Sequence, residues 1–204
     1  MDANPLIPIN RSQPGVYLDI DKADIARLNA RLAGIKNGMP RVVSGAINDT
    51  LGPVRSAISK AIRDEVRLKA ADVGPLVRLR RASPGRLEGS VELSRKPVRL
   101  IKYGAKQFGF GVRVTVRKGG KSERIKSAFV TRVTAGEGET EVEVEGVFVR
   151  KGKARLPIKQ LMGPTAVGVL AGEPGMLADQ QAKASERFDK RIEYRTNLLL
   201  DKAK

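Results

Sequence analysis

The sequence predicts an α+β fold in which N-terminal helices and a C-terminal helix pack on a mostly antiparallel β-sheet. Three observations carry that expectation. Apolar residues recur at helical spacing from Ile25 to Val66, alternate with polar ones between Leu87 and Ile158, and return to a 3.6-residue period from Leu177 to Leu199. The order divides the chain into an extended arm over residues 1–15, an α+β domain over 16–172 and an amphipathic helix over 173–204.

The arm is read from Pro5, Pro8, Pro14 and Gly15, which punctuate a stretch with little periodicity. Asp21 followed by Asp24 is a carboxylate form of the helix-start capping box, and Ile25, Leu28, Leu32 and Ile35 then share one face. Asn37-Gly38 stops this helix. Pro40 suits the first residue of a second helix, whose apolar stripe is Val43, Ile47, Leu51, Val54, Ile58, Ala61 and Val66. Strands follow. Leu87 to Leu93 alternates as a half-buried strand, Pro97 to Lys106 reads as a crossing segment with one helical turn, and Val112 to Val116 alternates again. Gly119-Gly120 makes a turn, with Ile125 to Val133 returning as one strand. Val142 onward continues through Phe148 to a turn at Lys151-Gly152, and Arg155 to Ile158 returns, with Pro157 implying an edge position or a strand end. Gly163-Pro164 should open a short helix ending near Gly172. From Pro174, Leu177, Gln181, Ala184, Phe188, Ile192 and Leu199 define the last helix, with Glu186 and Lys190 as a stabilising i, i+4 pair.

Composition narrows the chemistry. The 204 residues contain no His, Cys or Trp, which removes Ser/His/Asp and Cys/His triads, thiol redox chemistry, disulfides and His or Cys metal sites. No cofactor and no catalytic or metal-binding residue is therefore expected. No run of about 18 apolar residues suggests a membrane span, and the opening MDANPLIPIN has neither the basic nor the apolar region of a secretion signal.

Lys and Arg number 39 against 22 Asp and Glu, a net charge of +17. The excess is segregated. Lys69 to Lys126 holds 16 basic and 4 acidic residues, whereas Glu137 to Glu145 holds five Glu and no base. Arg78, Arg80, Arg81, Lys118, Lys121 and Arg124 are the candidates for facing DNA phosphates; a solvated or subunit-facing basic surface explains them equally. Few aromatics accompany them, so stacking on single-stranded bases is not expected. Glu141, Glu143 and Glu145 fall on one face of a strand, and Arg113 and Arg117 present a matching spacing on another, which makes these five the candidate subunit-interface residues.

Other motifs have simpler explanations. Asp19, Asp21 and Asp24 read as helix capping rather than a metal cluster. Gly146 to Lys153 departs from a phosphate-binding loop, because five residues separate the glycines and Ala154 stands where Ser or Thr should be. A carboxylate-based nuclease lacks a supporting cluster.

Arg150-Lys151-Gly152-Lys153-Ala154-Arg155-Leu156-Pro157-Ile158-Lys159-Gln160-Leu161-Met162-Gly163-Pro164-Thr165 resembles the signature of the tailed-phage minor tail protein Z family, the tail completion proteins. In that family a strand ending in a basic residue, Pro and Ile leads into a Gly-Pro corner and a short helix, so Pro157, Gly163 and Pro164 are the candidate structural corner. The likeness spans residues 20 to 190 and includes the basic helix pair, Lys69-Ala70 leading to a short helix near Val77, and Pro97-Val98-Arg99-Leu100 as a crossing segment. It implies a non-enzymatic virion protein of a long-tailed phage, assembled in the host cytoplasm. Such a protein acts at the head–tail junction and makes the tail competent to join the head. The implied partners are copies of itself in a ring, sixfold to match a tail tube, a tail terminator or tube protein, and a head-completion or connector protein. The resemblance also implies a position around the DNA passage, with contact to genomic DNA as a further expectation and no membrane partner. From charge alone, a nucleoid- or RNA-associated protein is the competing reading, although no RNA-binding strand motif, zinc finger or helix-turn-helix supports it.

Overall fold

Residues 13–135, 142–172 and 175–203 are described by a computed structural model. Most of the predicted arm, Glu141 and Pro174 lie outside the described residues. The chain forms two compact units, one from Met1–Ile58, Val77–Ser94 and Glu173–Lys204, the other from Ser59–Leu76 and Arg95–Gly172. The class is α+β, but among the described residues the strands divide into four small antiparallel sheets instead of one.

In the first unit, α1 (Lys22–Arg31) starts where Asp21 accepts a hydrogen bond from the Asp24 amide at 2.7 Å. Asp21 caps the helix as expected, and Asp24 pairs with Arg27 at 3.2 Å. α2 (Gly38–Glu65) runs through Pro53 and contributes to both units. Its first half buries Val43, Ile47, Leu51 and Val54. This stripe meets a sheet ordered β1 (Gly15–Leu18), β3 (Gly89–Leu93), β2 (Val77–Arg80). A Cβ on Gly89 would stand 2.7 Å from both Ile47 and Leu51, so glycine lets helix and strand approach closely. α5 (Met176–Asp201) buries Ala184, Phe188 and Thr196. Its Gln181 amide exchanges two 2.9 Å bonds with the backbone of Tyr17 and so covers the free edge of β1.

One expectation changes here. Leu87 to Leu93 was to be half-buried, yet the strand begins at Gly89 and all five of its residues are buried. The reason is its central position between β1 and β2. The alternating Glu92 is buried with its charge answered, by Arg80 at 3.1 Å and the Ser90 hydroxyl at 3.0 Å.

In the second unit, α3 (Ala70–Val73) follows the end of α2, and β4 (Pro97–Arg99) leads into a 3-10 turn at Leu100–Tyr103, as the crossing segment required. β5 (Lys106–Phe108), β6 (Gly111–Val114) and β7 (Glu123–Lys126) form one sheet. The expected strand Ile125 to Val133 is divided, because Ser127 takes a positive φ of 63°. Before it β7 pairs with β6; after it β8 (Ala128–Ala135) pairs with β9 (Val142–Arg150). β10 (Ile158–Gln160) lies at the other edge of that sheet, and its start excludes Arg155 to Pro157 from the strand. Val112 to Val116 also shortens, ending as β6 at Val114, after which Val66 and Arg117 form an isolated bridge.

The Gly-Pro corner differs most. Gly163 and Pro164 do not start a helix; they lie in β11 (Met162–Thr165), paired with β4. α4 (Ala166–Leu170) begins only after Thr165, whose hydroxyl accepts from the Gly168 amide at 2.9 Å. A Thr cap next to the Gly-Pro pair displaces the start by two residues.

Candidate functional site

The predicted acidic row lies on β9. Glu143 and Glu145 are exposed, and Glu141 is outside the described residues. Arg132 of β8 is opposite Glu145 in register and reaches Glu143 at 4.0 Å. Both members of that pair are more than two-thirds exposed, so it adds little stability. The two arginines proposed to face the row sit elsewhere in the same unit. Arg113 lies on β6, where it shares a cleft of about 1020 Å³ with Glu145. Arg117 instead lines a second cleft with Lys121, Gly163 and Pro164.

The six candidate DNA-facing residues divide equally between the units. Arg78 and Arg80 are on β2 with Arg81 immediately after it, and Arg80 is engaged with Glu92. Lys118 and Lys121 are in the turn after β6, and Arg124 is on β7.

The large cleft was not foreseen residue by residue. Arg67, Lys69, Arg99, Lys102, Lys106 and Arg113 contribute six cations to its walls, against the two carboxylates Asp72 and Glu145. Lys102 and Asp72 neutralise each other at 2.8 Å. The remaining excess is the spatial form of the basic run from Lys69 to Lys126; its signal was present in the charge count, its location was not.

Tyr103 connects this cleft with the Gly-Pro corner. Burial pushes its hydroxyl up to about 12, so the phenol stays protonated and donates to the Pro164 carbonyl at 3.1 Å. Gly163 lies directly against the ring. Pro157 follows a cis peptide bond after Leu156 and precedes β10.

In the first unit, Arg195 of α5 forks onto Asp49 of α2 with bonds of 2.8 and 2.9 Å. Those hydrogen bonds, aided by the Arg195 and Arg191 charges against an opposing effect of burial, hold the Asp49 carboxyl below its ordinary value. Among the described residues no group of three or more His, Cys, Asp or Glu is arranged to hold a metal, and no helix is long and apolar enough to cross a membrane.

An α+β chain whose polar features are cationic clefts and exposed charge rows is equipped for contacts with other macromolecules. The family model described as prophage minor tail protein Z matches residues 25–200, nearly the whole chain, and the chain belongs to that family of phage tail proteins. No curated protein and no solved structure matches it significantly.

Proposed function

We propose that this protein completes the tail at the head–tail junction of a long-tailed phage, as a homo-oligomeric ring around the DNA passage. The observation that carries the reading is the family match over residues 25–200. Segregated charge supports it, because subunits that repeat around a ring can place an acidic row against a basic surface at every boundary. The proposed partners are neighbouring copies, the tail terminator or tube protein on one side and the head-completion or connector protein on the other. The role is structural, and no chemical step is assigned to any residue.

Native mass spectrometry of the purified chain, with and without tails assembled in its absence, tests this. A closed multiple of the 22.1 kDa chain, together with restored head joining, is expected. A strict monomer that leaves head joining unrestored would oppose it.

A further inference from the structure

We propose that the outer face of the β5–β6–β7 sheet binds the phosphate backbone of a polynucleotide. Strand register decides which residues share that face. Lys106, Arg113 and Arg124 are direct cross-strand neighbours, and Phe108, Gly111 and Lys126 form the adjacent row. Side chains in a cross-strand row stand about 5 Å apart, and like charges placed so are unfavourable without an anion to share. The inward rows are different in kind, for Val112 is fully buried between Gln107 and Ile125, and Val114 is opposite Glu123.

Two phenylalanines order the cations. Phe108 and Phe110 are 37% and 40% exposed, with rings stacked at 5.5 Å and 6° apart in plane. The Arg113 guanidinium lies 4.8 Å from the centre of Phe108, and that of Arg124 5.4 Å from Phe110. Stacking fixes the guanidinium planes and leaves their N–H groups for an acceptor. Among the described residues neither arginine has an ion pair. Gly111 permits the flat approach: its φ is +133°, and a Cβ there would overlap the Ile125 carbonyl oxygen.

Charge density identifies the occupant. Register places four cations on this face, Lys106, Arg113, Arg124 and Lys126, and puts Glu123 on the opposite one, while Glu145 of β9 lines the cleft that Lys106 and Arg113 share. Duplex DNA carries one negative charge per about 1.7 Å of axis, without gaps. An isologous contact with a second copy would set this cationic face against itself. The ring faces carry guanidiniums, so recognition is of phosphate and is independent of sequence. Phe108 and Phe110 accompany Arg113 and Arg124 here and serve to position arginine, not to stack on bases.

The test is fluorescence anisotropy of the full chain with a labelled duplex of about 30 base pairs across a salt series, since each lost phosphate contact lowers the salt slope by about 0.9. Arg113→Gln with Arg124→Gln should lower affinity about tenfold or more and the slope by about 2. Phe108→Leu with Phe110→Leu keeps the charge and should weaken binding about threefold at an unchanged slope. Lys36→Gln with Arg41→Gln, both exposed, removes equal charge from the other unit and should leave binding near wild type. An equal loss in that control means that net charge alone acts, and overturns the proposal. So does displacement of DNA by polyglutamate at equal charge concentration, which would assign the face to an acidic protein. Native mass of the same samples separates this proposal from the ring. An Arg113/Arg124 variant that assembles but has lost DNA binding supports the proposal; loss of both properties together assigns these residues to the subunit contact and overturns it.

Discussion

The Tyr103 ring rests on Gly163: a Cβ at position 163 would overlap Cε2 and stand 3.0 Å from Cδ2 and Cζ. The glycine is needed for that close approach, since its φ is not among the positive ones. Gly163→Val should therefore lower stability by about 1–3 kcal/mol through overpacking. Replacing Tyr103 by Leu in the same chain should return part of the loss, because the two substitutions share one contact. Urea midpoints for the two single variants and the pair measure this, and additive effects would show that the ring is not what excludes the side chain.

Asp49 makes a pH-dependent contribution of defined sign. Its folded pKa is depressed from 3.8, chiefly by the Arg195 hydrogen bonds. The contribution is complete above that ordinary value and is lost as pH falls through the depressed one. Asp49→Asn should therefore destabilise the protein by about 1 kcal/mol at neutral pH, a figure discounted for the partial exposure of both partners. The difference from wild type should shrink below about pH 4. Chemical denaturation from pH 7 down to pH 2.5 checks it; a difference independent of pH would assign the loss to packing.

Gln181 acts as a one-residue substitute for a neighbouring strand. It bonds both the amide and the carbonyl of Tyr17 on the outer edge of β1. Gln181→Ala should cost about 1 kcal/mol and speed hydrogen exchange at the Tyr17 amide, while amides of β3 keep their protection. Unchanged exchange at Tyr17 would mean that water replaces the side chain without loss.

These relationships show how far local patterns reach. Asp21 announced α1 because a cap and its helix are adjacent in sequence, and the stripe from Val43 to Val66 announced α2 for the same reason. What depended on distant partners was hidden. Glu92 reads as a solvent-facing residue until Arg80 and Ser90 are placed beside it. Ser127 carries no turn signature, so the division of β7 from β8 comes from each half having its own partner strand. The contact that crowds Gly163 is with Tyr103, 60 residues away in sequence, so no local pattern announces it. The basic excess was visible as a count, whereas the alignment of Lys106, Arg113 and Arg124 required the register of three strands.

The acidic row gives the most direct test of assembly. Glu143 and Glu145 are exposed on β9, and Arg132 is the cation in reach on β8. Reversing both to Lys places them beside Arg132 within one monomer. At such exposure the penalty should be only about 0.2–1 kcal/mol per pair, so the monomer stays folded. In the proposed ring, with this row placed at the subunit boundary, the same reversal recurs at every boundary and its effect multiplies with the number of subunits. Glu143→Lys with Glu145→Lys should thus leave the thermal midpoint nearly unchanged while abolishing the oligomer and head joining. Salt should weaken the wild-type ring, because exposed pairs beyond about 10 Å are screened at 0.1 M. Native mass spectrometry and tail complementation read the two effects separately. Normal assembly of the reversed chain at low salt would show that the row is a solvated face and that the ring, if formed, is held by other contacts.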